Sequence, residues 1–445
     1  MKIFEIAIVG FFFVSCSYQP SRQQKEFYGQ VSKGEATALS CRGSDYNRYI
    51  AYLPTKFSID HSFPVLFCFD PHADARLAIS LFRDYAEEHG MIIIASATLQ
   101  NGQTQEEIVL YLNQLYRDVR DKLWVDTTRI FAAGFSGGAR VAGIFSQLAP
   151  VAGLISCSAG YYPMGKCVPV ILIAGTYDMN YLETRFSDNN INTALCKHCF
   201  LTFEGPHQWP PRSSLYRAMD ILQIWSLDSV EFNRSAFVKE RLEKEKQDLL
   251  NHLKLYTPDS LWHTIEAMRI FLSIYGPIAD TKPIRQSYDS LLQQKSIVSL
   301  LDSKIAAEKY EEEQQEIIRQ AMGSRPLEWW ITTLGQWQKQ QGKDTEMLAV
   351  HKRLLAYVSL LSYSYAQAAI RQGNWNAVGY ILSIYGMADP ENADYHYFMA
   401  CRYAHENKVQ QALEELTIAL RAGIPLAKAM NDPLLSSLKP YLKSQ

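Results

Sequence analysis

The stretch RIFAAGFSGGARVAGIFSQLA, residues 129–149, decides the fold. It opens on an apolar run, passes through Gly134-Phe135-Ser136-Gly137-Gly138, and closes on a second, helix-like run. That succession predicts a buried strand, a tight turn and a helix. The turn fits G-x-S-x-G, where the serine takes a strained backbone and the glycines remove side chains that would collide. Glycine-rich turns are common, so reading Ser136 as a nucleophile requires partners elsewhere in the chain.

Outward from that stretch, residues 36–228 alternate strand-like and helix-like segments. NRYIAYLP (47–54), FPVLFCFD (63–70), MIIIASA (91–97), VAGLISCSAG (151–160), PVILIAGTYD (169–178) and HCFLTFEG (198–205) read as strands. LAISLFRDYAEEHG (77–90) is a helix ending at a glycine, and TQEEIVLYLNQLYRDVRDKL (104–123) is an amphipathic helix. Short, almost wholly apolar strands separated by helices predict an α/β fold with a mostly parallel sheet covered on both faces.

A serine hydroxyl is a poor nucleophile without a base, and the base needs an acid to orient it. Asp178 follows PVILIAGTY, just past the end of a strand, and His207 follows the last strand in GPHQWPP. Both positions place the side chain at the sheet edge where Ser136 would be displayed, in the chain order Ser, Asp, His. Glu183 and Asp188 are nearby alternatives for the acid. Of the other histidines before residue 226, His61, His72 and His89 precede Ser136, and His198 begins the last strand at the opposite edge.

Stabilising an oxyanion needs backbone N–H groups. Gly137 supplies one, directly after the serine and at a helix N-terminus. The other is expected after FPVLFCFD, where Pro71 has no N–H, so His72 or Ala73 must donate. Asp70 and Asp74 set negative charge there, or cap the following helix. Phe135 and Trp209 are candidate pocket residues, Trp209 being equally readable as plain packing.

Residues 36–228 resemble α/β-hydrolases, and among them esterases related to polyhydroxybutyrate depolymerases and feruloyl esterases. The likeness lies in GFSGGAR (134–140), AGTYDMNY (174–181) and GPHQWPP (205–211). It implies Ser136 as nucleophile, Asp178 as acid, His207 as base, and hydrolysis of a small-molecule or polymer ester with no cofactor and no metal. One departure is plain: the family's His-Gly at the oxyanion strand is Asp70-Pro71 here. A serine peptidase of the same fold, and a noncatalytic binding protein, are the alternative functions.

The N-terminus has Lys2, an apolar run from Ile6 to Val14, then Ser15 and Cys16. The run is too short to span a bilayer and fits a secretory signal. FVSC (13–16) resembles a bacterial lipobox, which implies lipidation of Cys16, an exported cell-envelope protein and membrane attachment by a lipid anchor. An ordinary signal peptide is the alternative. Residues 1–16 are then signal and 17–35 a tether.

A net charge of −2 and no basic stripe exclude nucleic acid as a partner. Cys196 and Cys199 form CKHC without a second pair to complete a zinc site. They are redox, metal or small buried apolar residues.

Beyond residue 228 the strand-like runs stop. Residues 229–345 read as charged amphipathic helices, and 346–445 contain a repeat. Gly373 and Asn407 occupy matching turns 34 residues apart. Ala366, Ala369, Val378, Leu382 and Tyr385 in the first unit match in kind Ala400, Tyr403, Ala412, Leu416 and Ala419 in the second, with Pro390 and Pro425 beyond. Small residues allow close helix approach, and the pattern resembles tetratricopeptide repeats. The resemblance implies either a protein partner or packing against the hydrolase.

Overall fold

The computed structural model describes residues 21–191, 195–227, 235–255, 261–339 and 345–442. The leader and Cys16 lie outside them. The chain divides into two compact units, one ending at Leu154 and the other beginning at Ile155, so the cut falls inside a strand.

The first unit runs α1 (Arg22–Tyr28), β1 (Ala36–Ser40), β2 (Arg48–Tyr52), β3 (Phe63–Phe69), α2 (Ala75–His89), β4 (Ile92–Ser96), α3 (Gln105–Lys122), β5 (Val125–Phe135) and α4 (Gly137–Leu148), and ends in β6 (Gly153–Cys157). β3 pairs in parallel with β4 and β5 (Phe67 opposite Ile94 and Ala132), whereas β2 is antiparallel to both β1 and β4. Every residue of β3 and β4 is buried, as strands covered on both faces must be. β1 was not foreseen. Its residues are alternately exposed and half-buried, so ATALS carries no apolar signal.

The second unit continues with β7 (Val170–Gly175), α5 (Tyr181–Asn190), β8 (His198–Phe203) and α6 (Arg212–Ser226). β7 and β8 are parallel, Ile173 opposite Leu201. The strand order is β1-β2-β4-β3-β5-β6-β7-β8, the expected α/β-hydrolase sheet, mostly parallel.

Helices follow: α7 (Ala236–Leu255), α8 (Leu261–Tyr275), α9 (Lys282–Leu292), α10 (Lys295–Ala321), α11 (Leu327–Lys339), α12 (Thr345–Arg371), α13 (Trp375–Ala388), α14 (Ala393–His405) and α15 (Val409–Arg421). Side chains tie them to the sheet and to one another: Arg269 Nη2 donates to the Phe200 carbonyl (2.9 Å), and Trp225 Nε1 to the Ile274 carbonyl (2.9 Å).

The 34-residue periodicity is present in the backbone. Gly373 (φ 67°) and Asn407 (φ 58°) are both left-handed. Asn374 N donates to the Ala369 carbonyl as Lys408 N does to Tyr403, and Gly373 N to Ile370 as Asn407 N does to Ala404. These bonds close both helices in the same left-handed stop. Ala366, Val378 and Leu382, and their counterparts Ala400, Ala412 and Leu416, share one buried core.

In CKHC the buried, apolar reading holds for Cys199, whereas Cys196 takes a partner from outside the motif. Cys196 forms a disulfide with Cys167, and Cys199 is a buried thiol, pushed up to about 12 by desolvation. Among the described residues no helix is long and apolar enough to cross a membrane.

Candidate active site

Strand β5 delivers Ser136 into the turn before α4, with φ 53° and ψ −120°. A non-glycine residue held there is strained and persists only where its surroundings leave no alternative. Here two close backbone approaches enforce it. A Cβ on Gly134 would lie 2.2 Å from the Gly138 carbonyl oxygen, and one on Gly138 would lie 2.1 Å from that of Phe69. The Ser136 carbonyl then accepts from Ala139 N (3.0 Å) and Arg140 N (3.3 Å), starting the helix. Gly137, the first helical residue, has no intrahelical acceptor for its own N–H. The side chain of Asn101 lies against it, its Oδ1 only 1.7 Å from where a Cβ would stand.

Asp178 and His207 are brought together by the loops that leave β7 and β8. Thr176 N donates to the Phe203 carbonyl (2.9 Å) and Tyr177 N to that of Gly205 (2.9 Å), stitching one loop to the other. Gly175 permits this closeness, since a Cβ there would meet the Gly205 oxygen at 2.3 Å. His207 Nδ1 lies 2.8 Å from Asp178 Oδ1, and the same oxygen accepts from Asn180 N (2.8 Å). The Asp178 side chain is 0 % exposed and that of His207 20 %. Asp178 Oδ2 is buried without a hydrogen-bond partner among the described residues. A buried carboxylate hydrogen-bonded to one imidazole nitrogen holds that ring in one orientation and one tautomer.

The alternative acids have other tasks. Asp188 Oδ1 pairs with His198 Nδ1 (2.7 Å), and Glu183 accepts from Gly160 N (3.1 Å). His198 begins β8, at the end of the strand opposite His207.

At the loop after β3 the structure departs from the expected donor. The N–H of His72 is directed to Asp70 Oδ1 (2.8 Å), and that of Asp74 to the same oxygen (3.3 Å). The N–H of Ala73, itself at φ 58°, donates to the Asp70 carbonyl (3.0 Å). Pro71 shortens the set of donors, and the short carboxylate of Asp70 claims the next ones as an Asx turn does. Asp74 caps α2 through Leu77 N (2.9 Å), as one of its two readings expected. Phe135 is buried at the end of β5, and Trp209 is half-buried two residues past His207. Sequence reasoning missed Asn101. Its only signal was position, in the loop after a buried strand.

No protein-family model matches the chain, and no curated protein matches it. Solved structures do resemble part of it. A substrate-bound fluorophosphonate-binding serine hydrolase of Staphylococcus aureus is 14 % identical, spanning 44 % of this chain and 100 % of its own, with a TM-score of 0.36. An S-formylglutathione hydrolase of the same organism is 12 % identical over 44 % of this chain and 99 % of its own, with a TM-score of 0.35. A hyperthermophilic esterase of Pyrobaculum calidifontis is 13 % identical over 46 % of this chain and 90 % of its own, TM-score 0.35.

Proposed function

We propose that this chain is an exported serine hydrolase that cleaves a carboxylic ester, with Ser136 as nucleophile, His207 as base and Asp178 as acid. The backbone of Ser136 carries the reading: a non-glycine residue at φ 53°, fixed between glycines whose side chains have no room. The Asp178–His207 pair supports it.

On this route Ser136 Oγ adds to the ester carbonyl carbon while His207 Nε2 takes its proton. Asp178 on Nδ1 keeps Nε2 as the acceptor and balances the imidazolium. The tetrahedral oxyanion is met by the Gly137 N–H and the positive end of α4. Collapse breaks the C–O bond, and His207 returns its proton to the leaving alcohol. Water, deprotonated by His207, then cleaves the acyl-serine and restores the hydroxyl. No cofactor enters these steps.

The Cys167–Cys196 disulfide supports export, because such bonds persist in oxidising compartments. Lipidation of Cys16 is part of the same proposal, tested by incorporation of an alkyne-tagged fatty acid that Cys16→Ser abolishes. Residues 346–445 are proposed as tetratricopeptide-like units, a reading the matched turns support, and as the part of the chain that would hold a protein segment.

The occupied N–H groups after β3 favour one rival, a binding protein that keeps the scaffold without the chemistry. Labelling by a fluorophosphonate probe separates the two. Wild type is expected to label, and Ser136→Ala and His207→Ala to lose labelling. Absence of Ser136-dependent labelling overturns the hydrolase reading, and release of amino acids from short peptides without aryl-ester turnover would convert it to a peptidase.

A further inference from the structure

The peptide unit between Thr176 and Tyr177 is held from two sides. Its N–H, on Tyr177, donates to the Gly205 carbonyl of the loop that carries His207 (2.9 Å). Its C=O, on Thr176, accepts from Arg353 Nη1 (2.9 Å), and Arg353 belongs to α12, 177 residues further along the chain. Asp178 is the next residue. A helix remote in sequence thus grips the backbone that aims the acid.

The grip is built to be rigid. Arg353 is 2 % exposed and Glu311 of α10 is 0 % exposed. Arg353 Nε lies 2.9 Å from each oxygen of that carboxylate, so its planar fork is fixed from behind while Nη1 reaches forward. The guanidinium Cζ stands 4.4 Å from the Tyr181 ring centroid, and Lys352 Nζ 3.9 Å from that of Tyr177. Arg185 of α5 faces Glu308 of α10 at 3.6 Å. Residues flanking Asp178 on both sides are therefore held by α10 and α12.

We propose that Arg353 is a positioning residue for the acid, and that the helical region acts on the reaction by holding the Thr176–Tyr181 loop. The proposal rests on the hydrolase reading. An isolated buried ion pair would serve folding alone, but this cation spends a hydrogen bond on a loop carbonyl that an apolar pair could not engage.

The test uses the full chain with Glu311→Leu and Arg353→Met together. Replacing both ions by apolar residues of similar volume leaves no orphan charge, so the double variant is expected to melt within a few degrees of wild type. It is expected to lose about 10- to 100-fold in kcat on an aryl ester with KM unchanged, because the acid is no longer fixed. Amide exchange at Tyr177 and Asp178 should quicken in parallel. Arg353→Lys, which keeps a cation beside Glu311 but not the fork, should fall between, and it decides the matter if the double variant does not fold. Wild-type kcat together with wild-type exchange in a folded variant overturns the proposal. If no Ser136-dependent activity exists at all, the hydrolase reading fails separately, and the exchange comparison still judges the clamp.

Discussion

Ser136 should be a more stable residue as glycine than as alanine. Ser136→Ala removes the hydroxyl but keeps a Cβ at φ 53°, so the strain stays. Ser136→Gly removes hydroxyl and strain together. A non-glycine residue in such a region costs about 1–3 kcal/mol. Glycine also widens the unfolded ensemble, which offsets about 0.4–1 kcal/mol of that relief. The balance favours glycine by about 1 kcal/mol, or roughly fivefold in the opening equilibrium. Native-state amide exchange is the assay, read at Phe131–Ala133 of β5 and at Ala139 and Arg140, whose N–H groups bond to the Ser136 carbonyl. Both variants lack the proposed nucleophile, so activity does not confound the comparison. Equal or faster exchange in Ser136→Gly would refute the reasoning, because the turn would then hold no strain for glycine to relieve.

Gly138→Ala should fail to fold or lose at least about 3 kcal/mol, since its Cβ would meet the Phe69 carbonyl oxygen at 2.1 Å. The atoms nearest a Cβ on Gly137 belong to the Asn101 side chain, which can move, so thermal melts of Gly137→Ala should show a much smaller loss. Replacing Cys167 and Cys196 by serine opens a loop of 29 residues, and urea unfolding should register a loss of about 3–4 kcal/mol. Burial alone would raise the Glu245 carboxyl, but Arg217 and Arg241 hold it below its ordinary value of 4.5. Its contribution to stability is therefore complete above 4.5 and is lost as pH falls through the lower folded value. Urea midpoints on the acid limb should fall more steeply for wild type than for Glu245→Gln.

The parts of this molecule that were legible from sequence are those fixed by neighbours in the chain. The turn at Ser136 depends on glycines within two residues of it, and β3, β4, β7 and β8 are apolar runs. Asp178 and His207 were found because each follows its own strand, so the edge of a parallel sheet gathers them. The repeat was visible because close helix packing demands small residues at a fixed interval. Contacts between distant segments left no such mark. Cys167 is 29 residues from Cys196, and neither spacing nor context distinguishes that pairing from others. Arg353 reads as one more cation on an amphipathic helix, although it is among the most buried side chains of its unit. β1 escaped notice because its exposed face erases the apolar pattern.

Asp70-Pro71 is where a local substitution has the widest consequence for the proposed chemistry. Pro71 has no N–H, and those of His72, Ala73 and Asp74 all end on atoms of Asp70. An oxyanion formed at Ser136 would then rely on the Gly137 N–H and the end of α4. Losing one donor of such a pair costs about 10²- to 10³-fold in kcat. That penalty applies to the addition step whatever the ester. A good leaving group lowers the remaining barrier independently, so activated aryl esters should keep measurable turnover where alkyl esters of the same acid do not. A steep dependence on leaving-group acidity would therefore place the missing stabilisation at the β3 loop. Equal rates on both ester types would mean that another group supplies the second donor, and the carboxamide of Asn101 is the polar side chain that lies against Gly137.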